Sequence, residues 1–447
     1  MATTRSYDDL PEREGVPILG NAHQFFDEGV TFYEKCEPLG DVVSFSLLNS
    51  PGLVVADPDL VRQVLVDKNE KFVKGEFVEE NFGHAAEGVF VVDGETWEHR
   101  RSLLQPTFRP NHIKEYRNDI VTVTERIADR MAANSGDSVE FDYLMNDLAL
   151  SVLTNTLFGV EQDHQTHERI HELVDDILLR FDGTSYNTFL PPWVPTVRNL
   201  KYRRGLSELH DIIDQLIEQR LADGTGGPDL LSVLLEARDE DSRVTDEVIR
   251  DELVTFTLAG HDTTSLGLTY TWHLLANNPE KQEKLFAELD EVLGGDPPTF
   301  ADFAELEYLE QVIQEGLRVF PPVTQLFRET ATEVQLGDYH VPEGVTVVMP
   351  QWILHRDERF YDAPETFRPE RWADDLEDTL PEYAYFPFGG GPRHCIGMRF
   401  GMTEMKIVIS MLAQRFRFEP AYDSLPETNV ALTLQPKDSV DMYARPR

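Results

Sequence analysis

Cysteine is nearly absent from this sequence. Its 447 residues hold only Cys36 and Cys395. Two cysteines make no disulfide framework, and the expected setting is a reducing cytoplasm. Lysine is scarce as well, 10 against 30 arginines. No run of about 18 apolar residues occurs, so no membrane span is expected. Residues 1–10 carry no apolar signal core. Repeats, Gly/Ser linkers and low-complexity tracts are missing, and so is a Gly-rich dinucleotide fingerprint.

Positive charge is the largest deficit. Forty basic residues face 81 acidic ones, a net charge of −41. Such a surface repels nucleic acid and anionic membrane, and neither is expected as a partner. The acids are spread along the whole chain, unlike a disordered acidic tail. They suggest a halophile-type surface whose self-repulsion is tolerable when salt screens it.

What remains is mainly helical pattern. Residues 41–47 and 52–56 are β-type runs around the turn signal Asn49-Ser50-Pro51-Gly52. A helix is expected at 58–67, then a long Gly-punctuated loop over 72–96 carrying Phe72, Phe77, Phe82 and Phe90, a plausible pocket wall. From 97 to 290 apolar spacing of three and four predicts helices. Thr245-Asp246-Glu247 reads as an N-cap with acids in the first turn. The helix it starts runs to Asn277, where Asn278-Pro279 stops it. Helices at 301–319 and 396–414 and strand pairs over 323–349 and 415–447 complete the reading. The expected fold class is mainly α with a smaller β-rich lobe (α+β). That lobe draws on about 15–70 and 323–349, in one domain spanning 1–447 with no fused reductase.

Two stretches carry chemistry. The first is Phe388-Gly389-Gly390-Gly391-Pro392-Arg393-His394-Cys395-Ile396-Gly397. Cys395 immediately precedes a helix, so the N–H groups of Ile396, Gly397 and Met398 can point at its sulfur. With the helix dipole they stabilise a thiolate. The triple glycine permits turns that side chains block. Gly397 and Gly401 lie four apart on one helix face, where a flat bulky group can approach, and Arg393 can pair a carboxylate on that group. Zinc is disfavoured, because no second cysteine or His pair stands at zinc spacing. A cysteine nucleophile with His394 beside it stays open at this point.

The second stretch is Ala259-Gly260-His261-Asp262-Thr263-Thr264, inside the long helix. Glycine mid-helix costs about 1 kcal/mol relative to alanine. An Asp in an apolar stretch costs more unless it is paired or wetted. Two broken rules together suggest a site. Gly260 leaves room beside the helix, the Thr263 hydroxyl both donates and accepts, and Asp262 can relay protons toward it.

The Phe-x-x-Gly-x-Arg-x-Cys-x-Gly pattern, met by Phe388, Gly391, Arg393, Cys395 and Gly397, resembles the haem-binding loop of the cytochromes P450. The resemblance covers roughly residues 15 to 445. It implies that Cys395 is the axial thiolate on the iron of haem b, a ligand that favours O–O cleavage. The Ala259–Thr264 sextet resembles the family's oxygen-activation motif, so Ala259 and Gly260 would border the cofactor, and Asp262 and Thr263 would assist proton delivery. Glu315-Gly316-Leu317-Arg318 resembles the family's Glu-x-x-Arg motif. Phe367-Arg368-Pro369-Glu370-Arg371-Trp372 resembles its Pro-Glu-Arg-Phe segment, with Trp372 replacing Phe. A structural Glu315–Arg318–Arg371 network is implied, with Arg368 as the rival third member. Trp97-Glu98-His99-Arg100-Arg101 resembles the family's Trp-x-x-x-Arg helix. Trp97 and Arg101 would contact haem propionates, with Arg328, His355 and Arg393 as further cofactor partners beside Phe388, Gly389 and Gly397.

Electrons are expected from a separate ferredoxin-type donor. Residues 97–117 and 393–406 are locally basic, and Arg100, Arg109, Lys114, Arg117, Arg399 and Lys406 are the expected docking face. The apolar 72–96 loop and Pro321–Leu326 suggest a lipophilic substrate such as a fatty acid, terpenoid or carotenoid. The expected function is a haem-thiolate monooxygenase that inserts one atom of O2. Its rivals are a peroxide-dependent peroxygenase or isomerase on the same fold, and a non-catalytic haem carrier, electron-transfer or gas-sensing protein.

Overall fold

The computed structural model describes residues 5–447 apart from 49, 76–77, 80–82, 134–135, 163, 179, 181–189, 225–226, 374–375, 423–426 and 431–432. Phe77 and Phe82 of the expected pocket wall therefore lie outside the described residues.

The two β-type runs near the start form a hairpin. β1 (Val42–Leu47) pairs antiparallel with β2 (Ser50–Val55), with Val43 opposite Val54. Three more strands complete the sheet: β3 (Phe72–Val73), β4 (Leu326–Thr330) and β5 (Thr346–Met349). The order is β1-β2-β5-β4-β3, with β2 and β5 parallel and the other pairs antiparallel. The first and last thirds of the chain thus share one sheet. Leu53, Val55, Val347 and Met349 are buried in a cluster that also takes in Val61 and Leu354.

Eight helices frame the site: α1 (Gly94–Leu104), α2 (Pro110–Ala133), α3 (Phe141–Leu153), α4 (His164–Leu178), α5 (Val197–Asp223), α6 (Asp246–Ala276), α7 (Glu307–Val319) and α8 (Met398–Arg415). The longest is α6, with 31 residues, or about 46 Å at ~1.5 Å per residue. Thr245 caps it, its hydroxyl accepting the Val248 N–H at 3.3 Å. Leu253, Val254, Leu266, Leu268 and Trp272 are all buried along it. Apolar residues around its whole girth mark a central helix. Phe141 of α3 meets Trp272 edge to face at 6.4 Å. Among the described residues no helix is long and apolar enough to cross a membrane.

Expected boundaries move at several points. The strand expected over 52–56 runs over Ser50–Val55, so Ser50, Pro51 and Gly52 of the expected turn lie in it. The helix expected at 58–67 is α-helical only over Pro58–Arg62, and Gln63–Asp67 widens into a π turn. The helix expected from 301 starts at Glu307, because Glu288 receives the Tyr308 and Leu309 N–H groups at 2.6 and 2.9 Å and so caps α7 from outside. The last helix starts at Met398, two residues later than expected. The C-terminal stretch pairs Phe416–Pro420 with Asp441–Pro446. It also forms a small hairpin of β6 (Thr428–Val430) and β7 (Leu434–Pro436).

Candidate active site

Cys395 sits at the end of a tightly tied loop. Its N–H donates to the Phe388 carbonyl at 2.9 Å, and the Gly389 N–H donates to the Phe386 carbonyl at 2.9 Å. Gly389 and Gly391 hold φ of 70° and 64°, conformations that side chains rarely adopt. A Cβ on Gly391 would overlap the Leu65 carbonyl oxygen, so glycine there is also a matter of space. Because α8 begins only at Met398, the amides of Gly397 and Met398 turn to the sulfur. Burial pushes the Cys395 thiol up, and the Gly397 N–H, the Arg101 charge and the Met398 N–H oppose that.

The sulfur opens into a cavity of about 410 Å³. Phe388, Gly389, Arg393, Cys395 and Gly397 line it from the loop, and Trp97, Arg101, Lys74 and Arg328 from α1 and the sheet. Ala259, Gly260, Thr263 and Thr264 line it from α6. A Cβ on Gly260 would stand 2.7 Å from the Leu153 side chain, so the bare backbone lets α3 approach. The Thr263 hydroxyl donates to the Ala259 carbonyl at 2.8 Å. Asp262 is buried behind this face, and both of its oxygens are held by the β6–β7 hairpin. Thr433 Oγ1 donates to one at 2.7 Å and Gln435 Nε2 to the other at 2.8 Å.

The cavity holds an unusual concentration of cations. Lys74, Arg101, Arg328 and Arg393 all line it. Burial pulls Arg328 down to about 10, with the Arg393 charge adding to the fall. Burial and the charges of Arg328 and Arg393 pull Lys74 well below its ordinary value. Burial also lowers Arg101 and Arg393. Arg393 stacks on the Trp97 ring at 4.6 Å, and its Nη2 pairs with Asp93 and reaches the Val92 carbonyl at 2.8 Å. Its Nη1 is buried with no partner among the described residues. Buried cations with idle donors are costly unless an anion joins them. A flat group bearing carboxylates fits this donor set, and a bare metal ion does not.

The brace behind the loop is fully buried. Arg318 Nε and Nη2 donate to the two Glu315 oxygens at 2.9 Å, and Arg371 Nε donates to Glu315 Oε1 at 2.8 Å. Arg371 and not Arg368 places its guanidinium there; Arg368 gives only its backbone N–H and sends its side chain to Asp362. The Trp372 indole N–H adds a bond to Glu315 at 2.8 Å.

Four expected positions are corrected. His355 does not line the cavity. It is fully buried, its Nε2 accepts the Phe386 N–H at 3.0 Å, and its carbonyl receives Arg318 at 2.7 Å. Burial and the Arg318 charge hold it far below the usual histidine range. It links brace to loop and offers no cation to a carboxylate. Arg100 cannot belong to a docking face, being buried and paired with Glu252 at 3.1 Å. Arg117 spends its guanidinium on the carbonyls of Pro297 and Pro298. Lys406 is mostly covered and bonded to Glu310 at 2.6 Å. Arg109, Lys114 and Arg399 remain exposed.

Sequence reasoning passed over Lys74, Asp93, Thr433 and Gln435, and it noted Trp372 only as a replacement for Phe, not as a donor to Glu315. The signal for Lys74 was present, since a lysine beside Gly75 in a Phe-rich loop is notable in a chain with so few. The hairpin residues gave no local signal.

A helical fold with a small sheet, a loop-borne thiol and a cation-lined cavity facing a long central helix defines a haem-thiolate protein. Residues 10–441 match the family model described as Cytochrome P450. The chain is 33% identical to cyclooctat-9-en-7-ol 5-monooxygenase of Streptomyces melanosporofaciens, over 91% of this chain and 88% of that protein. It is 31% identical to pentalenene oxygenase of Streptomyces avermitilis, over 92% of each. It is 30% identical to human cytochrome P450 3A7, over 95% of this chain and 88% of that one. The chain belongs to the cytochrome P450 family. It is a monooxygenase whose cofactor is haem held through a cysteine thiolate.

Proposed function

We propose that this monooxygenase hydroxylates or epoxidises a terpenoid hydrocarbon. One atom of O2 enters the substrate, and the other leaves as water with two protons and two electrons. The observation that carries the reading is the single cavity shared by Cys395, the four cations and the Ala259–Thr264 segment. Cys395 is assigned as the thiolate ligand. When bound, the haem supplies the iron centre at which dioxygen is activated. Lys74, Arg101, Arg328 and Arg393 hold its carboxylates, and the Gly397 and Met398 amides stabilise charge on the sulfur. Asp262 and Thr263 handle the protons. Phe90, Val91, Phe108, Phe256, Val323 and Val430 give the rest of the cavity an apolar lining. Such a lining excludes water and orients a hydrocarbon by shape. The names of the Streptomyces relatives, which specify cyclooctat-9-en-7-ol and pentalenene, favour a terpenoid over a fatty acid.

The electrons come from a separate acidic ferredoxin that docks on Arg109, Lys114 and Arg399. The protein works in a salt-rich cytoplasm, and the whole chain acts as one domain. The test is product formation by the holoenzyme with ferredoxin, reductase and NAD(P)H, given a sesquiterpene hydrocarbon or dodecanoic acid. Oxygenated terpene is the expected product. Oxidation of the fatty acid alone would overturn the substrate class. Turnover with hydrogen peroxide but none with the electron donors would overturn the ferredoxin-driven mechanism.

A further inference from the structure

Asp262 is the acid of the long central helix, yet it does not line the cavity. Its side chain is turned to a different part of the chain. The β6–β7 hairpin brings Thr433 and Gln435 to its two oxygens at 2.7 and 2.8 Å, and Gln435 also donates to Thr433 Oγ1 at 3.0 Å. The three side chains close a triangle. Thr263 takes no part in it; its hydroxyl donates to the Ala259 carbonyl. Of the triangle's members, Thr433 alone also lines the cavity.

The hairpin is firmly placed. The Leu434 N–H donates to the Pro322 carbonyl at 2.8 Å, beside the cavity-lining Val323. The Leu434 carbonyl receives the Tyr270 hydroxyl at 2.5 Å, two turns along α6 from Asp262. Val430, on the partner strand, lines the cavity as well. The hairpin therefore lines the cavity and holds the buried acid at once.

We propose that Thr433 is the hydroxyl through which Asp262 exchanges protons with the cavity, and that the hairpin is thereby a working part of proton delivery. Asp262, which accepts the Thr433 hydroxyl in the resting arrangement, first takes a proton from solvent, and the hydrogen bond between the two reverses. The Thr433 hydroxyl then releases its proton to the cavity while its oxygen takes the Asp262 carboxyl proton, which restores the carboxylate and the Thr433 donor bond. Thr433 is a positioning and relay residue acting through Asp262. The inference rests on the reading that Asp262 handles protons, and the test separates the two.

Two readouts on the holoenzyme decide it. The first is the infrared carboxyl band of Asp262, identified by its loss in Asp262→Asn. The second is the fraction of NAD(P)H electrons released as hydrogen peroxide. Thr433→Val is expected to move the band and to raise the peroxide fraction at least threefold. Thr433→Ser, which keeps the hydroxyl, is expected to restore both. Gln435→Leu, which removes the Gln435 bonds to Asp262 and Thr433 but leaves the bond between Thr433 and Asp262, is expected to move the band with a smaller rise in peroxide, and it serves if Thr433→Val does not fold. If Asp262→Asn raises the peroxide fraction and Thr433→Val does not, the relay is wrong and the role of Asp262 stands. If Asp262→Asn changes nothing, the role of Asp262 fails and the relay with it. An Asp262 band unmoved by Thr433→Val would show that the hydrogen bond is not made in solution, and would overturn the inference.

Discussion

The two sides of the cavity are built from different ranges of the sequence. The Cys395 side is largely local. Ten consecutive residues carry the sulfur, its turn glycines and the amides that face it, and the Glu315–Arg318–Arg371–Trp372 brace and His355 hold them from behind. The α6 side is assembled over distance. Asp262 meets Thr433 and Gln435, 171 and 173 residues further along the chain. Glu252, three turns earlier in α6, accepts the Val89 N–H of the cavity-lining loop at 3.0 Å. Rigidity suits a ligand whose geometry must not change. Long-range pairing suits a side that has to respond to a substrate.

That contrast can be broken first at the brace. Glu315→Ala leaves the Arg318 and Arg371 guanidinium groups buried without a counter-charge. Breaking a buried pair on one side costs about 3–5 kcal/mol. The expected outcome is loss of haem binding and of the cooperative thermal transition, measured by haem content and circular dichroism.

On the α6 side the next effect depends on pH. Burial raises Glu252 from the ordinary glutamate value of 4.5 to about 7, against the Val89 N–H and Arg100. The charged form is the one penalised in the folded protein. The contribution of Glu252 to stability is therefore most favourable below 4.5 and falls as pH rises through about 7. The gap corresponds to roughly 3 kcal/mol. Glu252→Gln is expected to flatten the wild-type minus mutant difference in unfolding free energy to a constant above pH 8, with its slope confined to pH 4.5–7. A difference independent of pH across that window would contradict the raised value.

A third effect separates chemistry from scaffold. Asp262→Asn keeps the shape of the side chain and one accepting oxygen but removes its proton chemistry. Product formation is expected to fall about 10- to 100-fold with haem content and melting temperature unchanged. An equal loss of haem would place Asp262 with the brace instead. The smallest effect is at the surface. Arg109→Glu with Lys114→Glu is expected to slow reduction by an acidic ferredoxin about three- to tenfold at low salt, with the difference closing as salt screens it. No change at low salt would leave these residues out of docking.

The legibility of the chain follows the same divide. The Cys395 loop, the N-cap at Thr245 and the long helix were readable because each depends on neighbours in sequence. The first hairpin was readable for the same reason. The small sheet was legible only as runs, since the pairing of β2 with β5 is a tertiary event. The docking residues were misjudged because composition cannot distinguish a surface arginine from Arg100, which a buried Glu252 has recruited. His355 was misplaced because a histidine reads as a polar ligand until its surroundings are known. Here a backbone N–H occupies its ring nitrogen, and burial with the Arg318 charge disfavours protonation. The hairpin partners of Asp262 could not be read, because nothing near Thr433 in the sequence refers to a helix so far upstream.

The central claim is that Cys395 is the thiolate ligand and that the cavity is shaped around the haem it holds. The most direct measurement is the absorption spectrum of the reduced, carbon-monoxide-bound holoprotein beside that of Cys395→Ser. A strongly red-shifted Soret band in the wild type that is lost in well-folded Cys395→Ser is the expected result. Its absence from well-folded, haem-loaded wild type, or its survival in Cys395→Ser, would contradict the account.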